Sequence, residues 1–185
     1  MAVQTQRKLF TVDDYYKMAE VGILAPEDRV ELIHGEIIQM SPITSFHSSV
    51  VDDLHEMLVL LLHGQAIVKC QNPLSIDSHS EPEPDLTIAK FQTHKYRHQY
   101  PRPEDVHFLI EVADTTLQKD RKIKLPLYAE AGIPEVWIVN LKNNTVEVYT
   151  NPVDRGYQEL KTLKSGEILH VEVLDFELEV ERIFG

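Results

Sequence analysis

Two carboxylates stand where carboxylates are costly. Asp85 follows Pro84 at the mouth of the apolar stretch Leu86-Thr87-Ile88, and Glu111 lies inside Leu109-Ile110-Glu111-Val112. A charge in such a run costs several kcal/mol unless it is paired or metal-bound. Two hard oxygen ligands on neighbouring strands suit Mg²⁺ or Mn²⁺, ions that keep several waters, polarise a phosphodiester oxygen and generate hydroxide near neutral pH. Taken singly, each carboxylate has a plainer role: Asp85 as a strand cap, Glu111 as the partner of an Arg or Lys. The basic residues that follow favour the metal role. Lys124 shares a helical face with Tyr128, four residues on, and a lysine there can orient an attacking water or stabilise a pentavalent phosphate. Lys122 is the alternative, and a solvated helix lysine is the ordinary fate of Lys119, Arg121 and Lys122. Glu31, in Val30-Glu31-Leu32, is a third candidate carboxylate, although strand alternation alone turns it outward.

Other chemistries lack their residues. His34, His47, His55 and His63 have no zinc-clasping spacing, and His47 reads as a phosphate contact or a helix cap. No Gly-rich phosphate loop and no Gly-x-Ser-x-Gly elbow is present. Cys70 is the single cysteine, which excludes an internal disulfide framework and a zinc-thiolate cluster. It sits in a strand with no nearby basic residue other than Lys69, which argues against a catalytic thiol.

The elements that must position these residues follow from periodicity. Thr11 and Asp14 predict the cap of a short helix over residues 12–20. Residues 29–40 predict a hairpin around His34-Gly35, ended by Pro42. Val50, Val51, Leu54, Met57, Leu58, Leu61 and Leu62 predict an amphipathic helix over 48–63 with Gly64 as its cap. Short strands are expected at 66–70, 74–76 and 85–89. A polar loop follows over 91–105, then a doubly covered central strand over 106–112. Residues 115–131 read as a helix against which Pro126 is an objection, removed if the helix begins near Leu125. A hairpin over Asn143-Asn144 joins strands 135–140 and 145–150, and residues 157–184 read as further strands. The pattern is α/β: a mixed central sheet flanked by helices, with additional β-hairpins.

A length of 185 residues suits one domain, taken as 1–185. The N-terminal residues 1–9 are polar, so no leader is expected, and no apolar run reaches the length of a membrane span. With the lone cysteine this favours a cytoplasmic setting and no membrane partner. The net charge of −12 opposes simple phosphate binding, unless metal ions offset the site carboxylates or the acidic residues lie on a face away from nucleic acid.

In order along the chain, Glu31-Leu-Ile-His-Gly-Glu-Ile, Met40-Ser-Pro with His47, Glu83-Pro-Asp85-Leu, Ile110-Glu-Val112 and Lys124-Leu-Pro-Leu-Tyr-Ala-Glu-Ala-Gly-Ile-Pro-Glu-Val-Trp-Ile-Val-Asn140 resemble the Uma-two family of restriction-endonuclease-like proteins, within the PD-(D/E)xK superfamily. The resemblance runs from about Phe10 to Tyr149. It implies a restriction-endonuclease-like core and a Mg²⁺-dependent nuclease. It puts Asp85 and Glu111 as metal ligands, Lys124 as the assisting lysine and Glu31 as the completing acid. The superfamily pattern places its lysine two residues after the glutamate, where this chain has Ala113, so the lysine must come from the helix. Two functions are therefore weighed. One is a metal-dependent endonuclease acting on nucleic acid, DNA first. The other is a catalytically inactive nuclease-fold module that binds nucleic acid or a protein partner. A nucleic-acid groove is expected to gather His94, Lys95, Arg97, His98 and Arg102 beside the carboxylates. The oligomeric state stays open, with C-terminal strands offering an edge for a homodimer.

Overall fold

The computed structural model describes residues 7–25 and 27–185. The leader reading rests largely on residues 1–6, outside the described residues.

Six strands form one sheet in the order β3-β4-β5-β6-β7-β8: β3 Ala66–Cys70, β4 Leu86–Lys90, β5 Val106–Ala113, β6 Glu135–Asn140, β7 Thr145–Val153 and β8 Gly156–Lys164. Neighbours are antiparallel except β5 and β6, which run parallel. A parallel pair needs a crossover, and here it is helical: α3 Leu117–Lys119, a π-helical turn Asp120–Lys124, and α4 Leu125–Glu130. The remaining elements are α1 Val12–Glu20, the hairpin β1 Val30–Ile33 with β2 Glu36–Gln39, α2 Ser45–Leu61, the hairpin β9 Ile168–Val171 with β10 Phe176–Glu179, and α5 Glu181–Phe184. Among the described residues no helix is long and apolar enough to cross a membrane.

Both faces of the sheet are covered, which is why β5 reads as a near-continuous apolar run. One face packs Phe108, Ile110 and Trp137 against Val50, Leu54 and Leu58 of α2 and against the β9–β10 hairpin. Phe108 and Trp137 stack with ring centroids 4.5 Å apart. The other face packs Leu109 and Val136 against Leu125 and Tyr128 of α4. Alternation along β5 then places Glu111 on the face of Leu109, toward the crossover helix.

The structure departs from the sequence expectations at several points. Residues 74–76 form no strand. Leu74 N–H bonds Pro82 O at 2.9 Å and Ser75 N–H bonds Pro101 O at 3.0 Å, single contacts without a ladder. Helix α2 begins at Ser45, because Thr44 caps it by accepting from His47 N–H, so His47 lies in the first turn rather than ahead of it. Residues 117–130 are continuously helical, and Pro126 is accommodated by a change of register. Leu125 N–H reaches Asp120 O five residues back, and α4 starts afresh with proline in its first turn. The tail is not all strand, since Glu172–Leu174 is a 3₁₀ turn and α5 is helical.

Candidate metal and phosphate site

In the β4–β5 ladder Leu86 pairs with Ile110 and Thr87 with Leu109. Continuing that register by one position sets Asp85 across from Glu111. There the ladder gives way to side-chain bonding: Val112 N–H donates to Asp85 Oδ2 at 2.8 Å. His47 Nε2 lies 3.2 Å from the same oxygen, and the Gln71 amide donates to Asp85 Oδ1 at 3.2 Å. Burial pushes the Asp85 carboxyl up, but His47, Lys124 and the Val112 N–H outweigh it and hold the group below its ordinary value. The Asp85 hydrogen bond in turn raises the His47 imidazole against its burial.

Glu111 is 4% exposed. Its two oxygens lie 3.0 and 3.2 Å from Lys124 Nζ, and Tyr128 donates its hydroxyl to Oε1 at 2.5 Å. Burial drives the Glu111 carboxyl up to about 8, with Asp120 and Asp85 adding to the rise and Lys124 opposing it. Burial alone would strip the proton from Lys124. Glu111, Glu31, Asp120 and Asp85 outweigh that and keep the ammonium charged well above its ordinary value.

Glu31 does not face outward. It is 1% exposed, because β1 is covered on both sides and alternation no longer separates wet from dry. Its carboxylate accepts from Lys119 Nζ at 2.7 Å and from Glu83 N–H at 3.2 Å, and Lys124 Nζ lies 3.3 Å away. Burial raises this carboxyl, but Lys124, Lys119 and the Glu83 N–H reverse the balance and lower it. Lys119 is thus an ion-pair partner at the site, not a solvated helix lysine. Lys122 is exposed and does not line the cavity, whereas Lys124 does.

The π turn has a geometric consequence. Thr116, Asp120, Lys124 and Tyr128 recur every four residues, and at 3.6 residues per turn each step would drift by about 40°. The wider turn over Asp120–Lys124 reduces that drift, so Lys124 and Tyr128 both reach Glu111, and Asp120, 4% exposed, faces the same cavity. π-turns of this kind recur at functional sites.

Glu31, His47, Asp85, Glu111, Asp120 and Lys124 line a cavity of about 60 Å³, together with Arg29, Glu83 and Asp114. That volume suits an ion with a water or two, so a larger substrate must lie across the mouth. Among the described residues no three His, Cys, Asp or Glu side chains converge on a single point. The donor set nevertheless fits Mg²⁺ or Mn²⁺, which are commonly held by one or two carboxylates with water and substrate phosphate completing the shell. Asp85 and Glu111 would supply the two, and among the described residues Asp120 Oδ2 is buried without a hydrogen-bond partner. His47 Nδ1 is likewise buried and unpartnered. Asp120, Glu83 and Gln71 escaped the sequence reasoning. Only Asp120 left a signal, the four-residue repeat it shares with Lys124 and Tyr128. The expected basic groove is also absent from the cavity, since no residue of 91–105 lines it.

Among curated proteins none matches this chain. Among solved structures it is similar to one described as a "putative nuclease belonging to DUF820" from Anabaena variabilis ATCC 29413. The two share 17% identity, the match covers 95% of this chain and 97% of that one, and the TM-score is 0.73. At that identity the likeness establishes a shared fold, with the mixed sheet and flanking helices described above. The family model described as "Uma2: Putative restriction endonuclease" matches residues 12–181, nearly the whole sequence, and the chain belongs to that family.

Proposed function

We propose that this protein is a divalent-metal-dependent endonuclease that hydrolyses phosphodiester bonds of DNA, with Asp85 and Glu111 holding Mg²⁺ or Mn²⁺. The observation that carries the reading is the placement of Glu111. It is a buried carboxylate in a central strand, across from Asp85 one position beyond the last pair of the β4–β5 ladder, and 3.0 Å from Lys124. The family and the fold of its neighbour support the nuclease class.

Charge explains the need for a cation. Glu31, Glu83, Asp85, Glu111, Asp114 and Asp120 line the cavity with Arg29, Lys119 and Lys124, so a phosphodiester meets an excess of carboxylate. A divalent ion bound there supplies Lewis-acid stabilisation of the phosphoryl oxygens and acidifies water. Lys124, fixed by Glu111 and by the Glu83 carbonyl at 3.1 Å, keeps an ammonium beside the reacting phosphate and offsets charge that builds up there. Tyr128 and Glu31 position Glu111 and Lys124. The Val112 N–H, His47 and Gln71 fix the direction of the Asp85 carboxylate.

An inactive nuclease-fold module, binding nucleic acid or a protein, is favoured by one observation: the basic loop does not line the cavity. Nicking of supercoiled plasmid with Mn²⁺ or with EDTA, by the wild type and by Asp85→Asn, separates the two. Mn²⁺-dependent nicking absent from the variant supports the nuclease. Equal, metal-independent background in both proteins defeats it.

A further inference from the structure

Residues 91–103 contain His94, Lys95, Arg97, His98 and Arg102 and no acidic residue, in a chain of net charge −12. The segment leaves β4 at the end away from Asp85 but folds back along the sheet edge formed by β3. Lys69 of β3 donates from Nζ to the Lys95 carbonyl at 3.3 Å, and Ser75 N–H bonds Pro101 O at 3.0 Å. Lys69 is two residues from Gln71, whose amide holds Asp85. By strand rise and side-chain reach the Lys95 turn is within about 20 Å of Asp85.

The turn is built to face outward. Lys95 and Tyr96 take left-handed φ of 49° and 56°, a costly pair for residues other than glycine. Bonds from Lys95 N–H to Gln92 O and from Arg97 N–H to His94 O, both 3.0 Å, close it. Tyr96 is turned inward, 6% exposed, with its hydroxyl donating to the Lys90 carbonyl at 2.8 Å. Lys95 and Arg97 on either side are exposed. Among the described residues Lys69, Lys90, Lys95, Arg97 and Arg102 make no ion pair. Phe91 and Tyr100 stand 50% and 41% exposed in the same segment.

Unpaired cations with no acidic residue among them, on an outward-facing turn within about 20 Å of the proposed phosphodiester site, match the phosphates of a nucleic acid. Resting on the nuclease reading above, the geometry points to the β3 edge and the 91–102 loop as a track for duplex DNA flanking the cleaved bond. The Lys95 turn takes phosphates about five to six steps away, at 3.4 Å per step along a strand. The cavity stays acidic and metal-binding, and the phosphate attraction is supplied from outside it.

The test is fluorescence anisotropy of a labelled 30-bp duplex in EDTA over a series of salt concentrations, with plasmid nicking in Mn²⁺ alongside. Wild type is compared with Lys95→Ala/Arg97→Ala, and with Lys161→Ala/Lys164→Ala on the opposite sheet edge as control. Melting temperature checks that each folds. The expected result is roughly tenfold weaker binding by the Lys95/Arg97 variant, a salt slope shallower by about 2, and slowed nicking, with the control like wild type. A wild type that binds and nicks DNA while the Lys95/Arg97 variant matches the control overturns the track and leaves the nuclease standing. A wild type that neither binds nor nicks DNA overturns both.

Discussion

Replacing Lys124 by methionine removes the ammonium and keeps much of the side-chain length. In the native site Nζ stands 3.0 and 3.2 Å from the Glu111 oxygens and 3.3 Å from Glu31. After the change Glu31 keeps Lys119 and the Glu83 N–H, whereas Glu111 keeps only the Tyr128 hydroxyl. Breaking a buried pair by removing one partner costs about 3–5 kcal/mol. For a chain of this length that is a fall in Tm of roughly 6–20 °C. Glu111 has one escape, which is to take a proton. Its carboxyl already lies up to about 8, and without Lys124 it rises further. Near pH 5 the variant therefore carries a neutral Glu111 and loses little more than hydrogen bonds, about 1–2 kcal/mol. Near pH 8 the wild-type carboxyl is about half ionised while the variant's stays mostly protonated, so the cost grows there by only about 0.4 kcal/mol, and the full pair-breaking cost is reached only above the variant's own raised value. Urea unfolding at both pH values measures the difference. In a Glu111→Gln background the same substitution is expected to cost less near pH 8, with a coupling of about 1 kcal/mol. A loss under about 1 kcal/mol near pH 8, or strict additivity of the two changes, refutes the reasoning.

Three further outcomes follow from the same geometry. Glu111 has a folded value of about 8 against 4.5 for the free group, so its contribution is complete below about 4.5 and declines as pH rises through 8. Glu111→Gln should flatten that decline in metal-free protein, and an unchanged pH slope in the variant contradicts it. Arg121 forks onto buried Glu147, which otherwise keeps only the Tyr149 hydroxyl at 2.7 Å. Arg121→Met should therefore cost about 1–3 kcal/mol in denaturant unfolding, without altering metal affinity. At Gly35, φ is +74° and an added Cβ would meet Leu9 Cβ at 2.7 Å and the Phe10 backbone at 3.1 Å; at Gly64, φ is +79° with nothing within 4 Å. Gly35→Ala should lose more than about 2 kcal/mol and Gly64→Ala about 1, with equal losses counting against the packing at Gly35.

The parts of the fold that were legible are those where one physical rule acts alone. The capped helix α1, the hairpin around His34-Gly35, the face of α2 and the run of β5 each follow from capping, turn chemistry or periodicity. Glu111 was conspicuous because its strand is buried on both sides. The same double burial hid Glu31, since alternation carries information only where one face is wet. His47 reads as a cap because periodicity alone starts the helix at Ser48, three residues after its true start at Ser45, and its bond to Asp85 crosses 38 positions of sequence. The π turn left only a four-residue repeat that a regular helix would not keep in line. The basic loop was recognised as basic, but its folding back along β3 depends on Tyr96 and Lys69, contacts no local pattern reveals.

The central claim, that Asp85 and Glu111 form one divalent-metal site served by Lys124, is tested most directly by calorimetric titration of Mn²⁺. Wild type is compared with Asp85→Asn, Glu111→Gln and Lys124→Gln, each checked for folding. Binding by wild type, lost in both carboxylate variants and retained in Lys124→Gln, is the predicted result. Heats from wild type no different from those of Asp85→Asn and Glu111→Gln would contradict it.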